Sequence, residues 1–173
     1  MNRRRFLWTS ATLLTGAVVA GKLAQTWRLQ EVAERDVLAQ LRAMQGLGWQ
    51  SRGTWTPAQV FAHLAQSIEF SLDGYPELKP AWFQHSAGAL AYAAFAAAGA
   101  MTHHLAEPIP GAPSLAKETD TETSLSRLIT AWQRFEAHAA TLAPHFAYGN
   151  LDARQYRLAH WLHIQDHLAE LYV

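Results

Sequence analysis

The sequence predicts an all-α protein, a helical bundle. Three observations point there. Apolar residues recur at three- and four-residue spacings along most of the 173-residue chain. No stretch of any length alternates in the manner of a strand, and no internal repeat is visible. Helix starts and stops are written in Pro, Gly and capping residues.

Taken in order, the elements are these. Residues 23–45 place Leu23, Trp27, Val37, Leu38, Leu41 and Met44 at helical spacings, and Gly46 and Gly48 stop the helix. The next start, "WTPAQV", is explicit: Thr56 is the N-cap, Pro57 suits the first helical position and Gln59 completes a capping box. Trp55 is spaced to staple onto Val60. This helix runs to about Leu72 and ends at the turn "DGYP". Residues 80–104 read as an Ala-rich third helix whose small side chains permit close packing. Gln84, His85 and Ser86 interrupt its apolar character, so a buried bundle helix is expected rather than a membrane span. "EPIPGAPS" is a loop. Residues 121–143 set Leu125, Leu128, Ile129, Trp132 and Phe135 on one face of a fourth helix. "PHFAYGN" breaks the chain again, and a last helix is expected over 152–172.

Composition narrows the function classes. The length suits one domain, half the residues are hydrophobic, and the seven Trp supply a substantial core. Trp49, Trp55, Trp82 and Trp161 are expected mainly in core packing. Formal charge is zero, with 14 basic and 14 acidic residues, and no basic stripe with interleaved aromatics marks a nucleic-acid surface. The chain has no Cys. That excludes disulfides, a Cys nucleophile and thiolate ligands, so a metal would have to use His, carboxylate or water.

The N-terminus looks like an address. In "MNRRRFLWTSATLLTGAVVAGKLAQTW", Arg3 and Arg4 precede Arg5, Phe6 and Leu7, similar to a twin-arginine export signal. The apolar stretch from Phe6 to Ala20 is diluted by Thr9, Ser10, Thr12 and Thr15. Fifteen residues at about 1.5 Å each reach roughly 22 Å, short of the ~30 Å hydrocarbon core. A cleavable signal over residues 1–22 is therefore expected, with small residues at Val18–Ala20 for the cut, and an uncleaved membrane anchor is the alternative. The domain proper would be 23–173. This implies a periplasmic or otherwise exported protein, with the twin-arginine translocase as its partner during export. Loss of residues 1–20 would leave a net charge of −3.

The candidate chemistry lies in the histidines. "HWLHIQDH" (160–167) places His163 and His167 four residues apart, one above the other on a helix, a spacing that can present two imidazoles to one ion. The same pair also serves as an ordinary polar pair, so the pattern alone leaves both open. His63, amid Val60, Phe61, Leu64 and Ile68, is the best third ligand; its alternative is a core His bonded to a backbone carbonyl. His103 and His104 are adjacent, so on a helix they point about 100° apart. They are read as capping or surface residues at a helix C-terminus. His85 and His138 have no partner spacing. His145 sits on a turn, where it lines a pocket mouth or bonds the loop.

The stretches "WTPAQVFAHLAQSIEFSLDGYP" (55–76), "IPGAP" (109–113) and "PHFAYGNLDARQYRLAHWLHIQDHL" (144–168) resemble an uncharacterised branch of the DinB-like superfamily, over most of residues 30–173. The resemblance implies a four-helix bundle with short extra segments. It implies one divalent ion held by a His on the second helix and a His-x-x-x-His pair on the last, which carries over to His63, His163 and His167. His160 falls outside the motif. Branch members often show two adjacent His in the last motif, whereas Asp166 precedes His167 here. Gln66, Glu69 and Asp166 are expected to orient the ligands or a bound water. Such bundles often pair, so a homodimer is a further expectation.

Three imidazoles leave an open position, the catalytic arrangement for zinc, where a bound water's pKa falls toward ~7. A metal-dependent hydrolase or thiol transferase acting on a small molecule is the leading expectation. A non-catalytic metal- or ligand-binding envelope protein, with a closed site or a fourth ligand such as His160 or Glu69, is the second. A structural bundle without metal is the third. Zinc is the expected ion and nickel the next.

Overall fold

The chain is mainly helical, as its periodicity predicts. The computed structural model describes residues 3–173, and side chains from residue 17 onward. The twin-arginine pattern at Arg3, Arg4, Phe6 and Leu7 lies outside the described side chains. Helix α1 (Arg3–Glu34) is followed by α2 (Val37–Arg42) and α3 (Pro57–Asp73). One turn, α4 (Ala81–Phe83), leads through a π-turn (Gln84–Gly88) into α5 (Ala89–Ala98); α6 (Thr121–Ala137) and α7 (Ala153–Leu168) complete the set. Strands β1 (Gln50–Ser51) and β2 (Leu171–Tyr172) pair antiparallel, with Gln50 opposite Tyr172.

The helix ends depart from the periodicity in ways that matter later. The helix expected over 23–45 is two helices, because the Asp36 side chain accepts from the Ala39 N–H and starts α2 afresh. The Ala-rich helix ends at Ala98, not 104: Gly99 adopts φ +68°, a left-handed stop that frees the following residues from the helix. It is also not buried as expected. Of α5 only Tyr92 and Ala96 are buried, and Leu90 is 72% exposed. Helix α6 stops at Ala137 because His138 is extended. The last helix stops at Leu168, and the residues beyond form β2 against β1. Two-residue strands are too short to leave an alternation in sequence.

Helix α3 packs on α6 and α7, while α1 packs on α5 and α7. The core joins Phe61, Leu64 and Ile68 of α3 with Leu125, Leu128 and Trp132 of α6 and Tyr156, Leu158 and Ile164 of α7. Burial of each such side chain is worth about 1.5–3 kcal/mol. Trp161 is buried and Trp49 and Trp55 pack against the core, but Trp82 is 71% exposed, contrary to expectation. Polar clamps fix the helices laterally. Arg127 forks onto Glu69 (2.7 and 3.0 Å), joining α6 to α3. Arg157 donates to the Val32 and Arg35 carbonyls (3.0 and 2.9 Å), tying α7 to the end of α1. Among the described residues, no helix is long and apolar enough to cross a membrane.

The π-turn brings its backbone against the turn at residues 145–149. A Cβ on Gly88 would overlap the Ala147 carbonyl oxygen, which is backbone and cannot swing aside. Gly88→Ala is therefore expected to destabilise the protein by about 1–3 kcal/mol, seen as a lower urea midpoint. An unchanged midpoint would show that the two segments do not need this approach.

Candidate metal centre

Two capping boxes set the helices that carry the histidines. Thr56 and Gln59 cap α3 reciprocally, and Asp152 and Gln155 do the same for α7. His63 lies in the middle of α3 and His163 and His167 in the last turns of α7, where the two helices pack together. The Nε2 atoms of His63 and His163 are 3.2 Å apart, and those of His167 and His163 are 3.1 Å apart. One ring nitrogen offers either a proton or a lone pair, so His163 Nε2 cannot form an ordinary two-centre hydrogen bond in both directions. Two nitrogens bound to one zinc at about 2.0–2.1 Å in a tetrahedron would lie roughly 3.3 Å apart. The observed spacing fits a shared ion.

A fourth imidazole joins them. The ligand atoms of His63, His103, His163 and His167 all lie within 4.8 Å of one another. His103 is exposed, as the surface reading has it, but it caps no helix. Gly99 ends α5 early, so His103 sits on a loop and swings over α7, its ring 5.0 Å from those of both His163 and His167. Its Nδ1 pairs with the Asp166 carboxylate at 2.8 Å. That carboxylate–imidazole pair fixes the ring's orientation and leaves Nε2 for the cluster. The sequence did carry a signal for this: a glycine after an Ala-rich run is a helix stop.

The other ligand rings are held by packing. Trp55 stacks on His167 (6.1 Å, 5°) and lies 4.9 Å from His63. The Nδ1 atoms of His63 and His167 are buried without a hydrogen-bond partner among the described residues. Burial holds these rings neutral: it pushes His63 down to about 4, with His103 adding to the shift, and His167 down to about 2. His163 is driven well down by burial first and by its His neighbours second. Neutral imidazole is the form that ligates a metal.

The remaining candidates fall elsewhere. Gln66 donates to the Pro113 carbonyl at 3.1 Å and Glu69 is committed to Arg127, so neither expected supporting residue hydrogen-bonds a cluster imidazole. Of the three, Asp166 alone engages the cluster, through His103. His160 stays outside the group, as expected. Ser71 Oγ donates to the Ile68 carbonyl (2.6 Å), so His160 Nε2–H donates to Ser71 Oγ at 3.0 Å. His145 does both things considered for it: its Nδ1 bonds the loop, and its ring lines a cavity of about 170 Å³ that also touches His63, His103, His160 and His163.

The molecule is thus a mainly helical protein with four clustered histidines able to hold a metal ion. The chain belongs to the family described as "Protein of unknown function (DUF1569)", which it matches over residues 24–172. No curated protein and no solved structure matches it.

The buried histidines make the fold acid-sensitive. Burial pushes both His145 and His160 down to about 3, whereas an unfolded His titrates near 6.5. Between those values the unfolded chain binds protons that the native state refuses. Stability is therefore full above about pH 6.5 and falls on acidification, by up to about 1.4 kcal/mol per pH unit for each group. In the presence of chelator, the melting temperature is expected to drop steadily from pH 6.5 to pH 4.5, with a shallower drop in His160→Gln. Equal slopes in the two proteins would show that His160 is not the source.

Proposed function

We propose that this is a divalent-metal-binding protein, DinB-like in its four-helix arrangement, that works as an exported metal-dependent enzyme. The observation that carries the metal reading is the approach of His163 Nε2 to those of His63 and His167, at 3.2 and 3.1 Å. The four longest described helices, α1, α3, α6 and α7, are the candidates for the bundle. Zinc is the ion favoured by a neutral all-imidazole set, with nickel next. When bound, such an ion supplies Lewis-acid activation, of a water for hydrolysis or of a substrate thiol for transfer.

The chain's own residues do the rest. His63, His163 and His167 hold the ion, and burial keeps them in the ligating form. Trp55 walls the site on one side. The cavity at His63, His103 and His163 gives a small molecule access. Export by the twin-arginine route rests on the Arg3–Leu7 pattern, would follow loading and folding in the cytoplasm, and would place the mature domain in the periplasm. Pairing into a homodimer belongs to the same proposal.

A second reading has one specific observation in its favour. His103 supplies a fourth imidazole, and four protein ligands make a closed, non-catalytic site. Elemental mass spectrometry of purified protein separates the outcomes. Near one equivalent of metal is expected in the parent and almost none in His163→Ala. Asp166→Asn, which loosens His103, is expected to weaken binding about 10–100-fold if His103 is a ligand. Unchanged affinity in that variant and in His103→Ala would leave the three-His open site. No metal in any of them, with a melting temperature indifferent to added zinc or nickel, would sink both readings.

A further inference from the structure

The cavity beside the cluster contains a polar group that metal binding does not use. His145 is only 8% exposed and lines that cavity. Its Nδ1 accepts from the backbone N–H groups of Ala147 (3.1 Å) and Tyr148 (3.2 Å). A backbone N–H can only donate, so Nδ1 carries the lone pair and the ring proton sits on Nε2. Among the described residues no group accepts from Nε2, and this atom is not sealed off within the protein. Accessible from the cavity and unclaimed by the protein, this donor is free to hold a ligand oxygen.

The donor is also preorganised. The ring stacks on Tyr148 at 4.1 Å and 7°, and the turn is closed by paired backbone hydrogen bonds between His145 and Gly149. Tautomer and orientation are therefore set before any ligand arrives. Burial keeps the ring a neutral donor and not a cation. Around it, Met101, Ile109, Phe146 and Ala159 supply apolar walls. Lys79 and Glu107 also line the cavity, are exposed, and have opposite charges; neither forms an ion pair among the described residues. Their charges offset each other, so the interior donor and the apolar walls decide what fits. A cavity of about 150 Å³ accepts a benzene-sized molecule, and this one is of that order.

We propose that the cavity binds a small, largely apolar molecule bearing a carbonyl or carboxylate oxygen. The oxygen is held by the Nε2–H of His145, and the body lies against Met101, Ile109 and Phe146 beside the four-His cluster. Only the molecule's relation to an ion rests on the metal reading; the donor and the walls stand without it.

The test uses benzamide and benzoate as oxygen-bearing probes, and toluene and benzylamine as matched molecules without that acceptor. Calorimetry or ligand-observed NMR on the purified protein reads the affinities. Benzamide is expected to bind at least about five-fold more tightly than toluene, the worth of one neutral hydrogen bond. His145→Phe, which keeps the ring stacked on Tyr148, is expected to erase that preference. Met101→Trp, which fills the cavity, is expected to abolish binding of both. The preference is expected to survive in His163→Ala even after the metal is lost, so failure of the metal reading and failure of this one are told apart. Equal affinities for benzamide and toluene, a preference that persists in His145→Phe, or benzamide binding that survives Met101→Trp would overturn the proposal.

Discussion

The rest of the site depends on one electrostatic constraint. Helices α3 and α7 press the Nε2 atoms of His63 and His167 to 3.2 and 3.1 Å from that of His163. One nitrogen cannot satisfy two such neighbours with ordinary hydrogen bonds, and burial forbids relief by protonating the rings. A shared cation would resolve the conflict. Whatever fixes the approach of α3 to α7 therefore fixes the site: Trp55 at the start of α3 stacks on His167, and His160 of α7 hydrogen-bonds Ser71 of α3.

The two ends of the cavity are built on different principles. At the cluster, orientation comes from helix packing and from one carboxylate, Asp166, acting through His103. At His145 it comes from a tight turn whose backbone donors fix the tautomer. Gly88 allows the π-turn to lie against that turn, so an irregularity in the helix supports a rigid loop. The loop after Gly99 spans both ends, since it carries His103 to the cluster and Ile109 to the cavity wall. A single backbone stop thus links the histidine cluster to the pocket.

The placement of the four histidines bears on whether a bound ion would keep an open position. Three of the imidazoles sit on helices. The fourth sits on a loop, exposed, and is tethered by one hydrogen bond to Asp166. Helices would preorganise such an ion site, while a loop-borne imidazole could yield its place to an incoming group at little cost to the fold.

The sequence by itself determined the helical class, the start of α3 down to its capping box, and the placing of His163 and His167 on one face of α7. These depend on neighbours a few residues apart, and local spacing records them. The resemblance in 55–76 and 144–168 added His63 to that pair, which periodicity left ambiguous between ligand and core residue. Several features needed the tertiary structure. Asp36 and Gly99 broke helices that periodicity ran together, because a cap or a left-handed residue overrides an apolar repeat. Gln66 and Glu69, close to His63 in sequence, turned to Pro113 and Arg127 on other segments. His103 is sixty residues from the nearest α7 ligand and His145 is eighteen from His163. Their roles exist only because loops return to α7, and contacts of that range leave no period in the sequence.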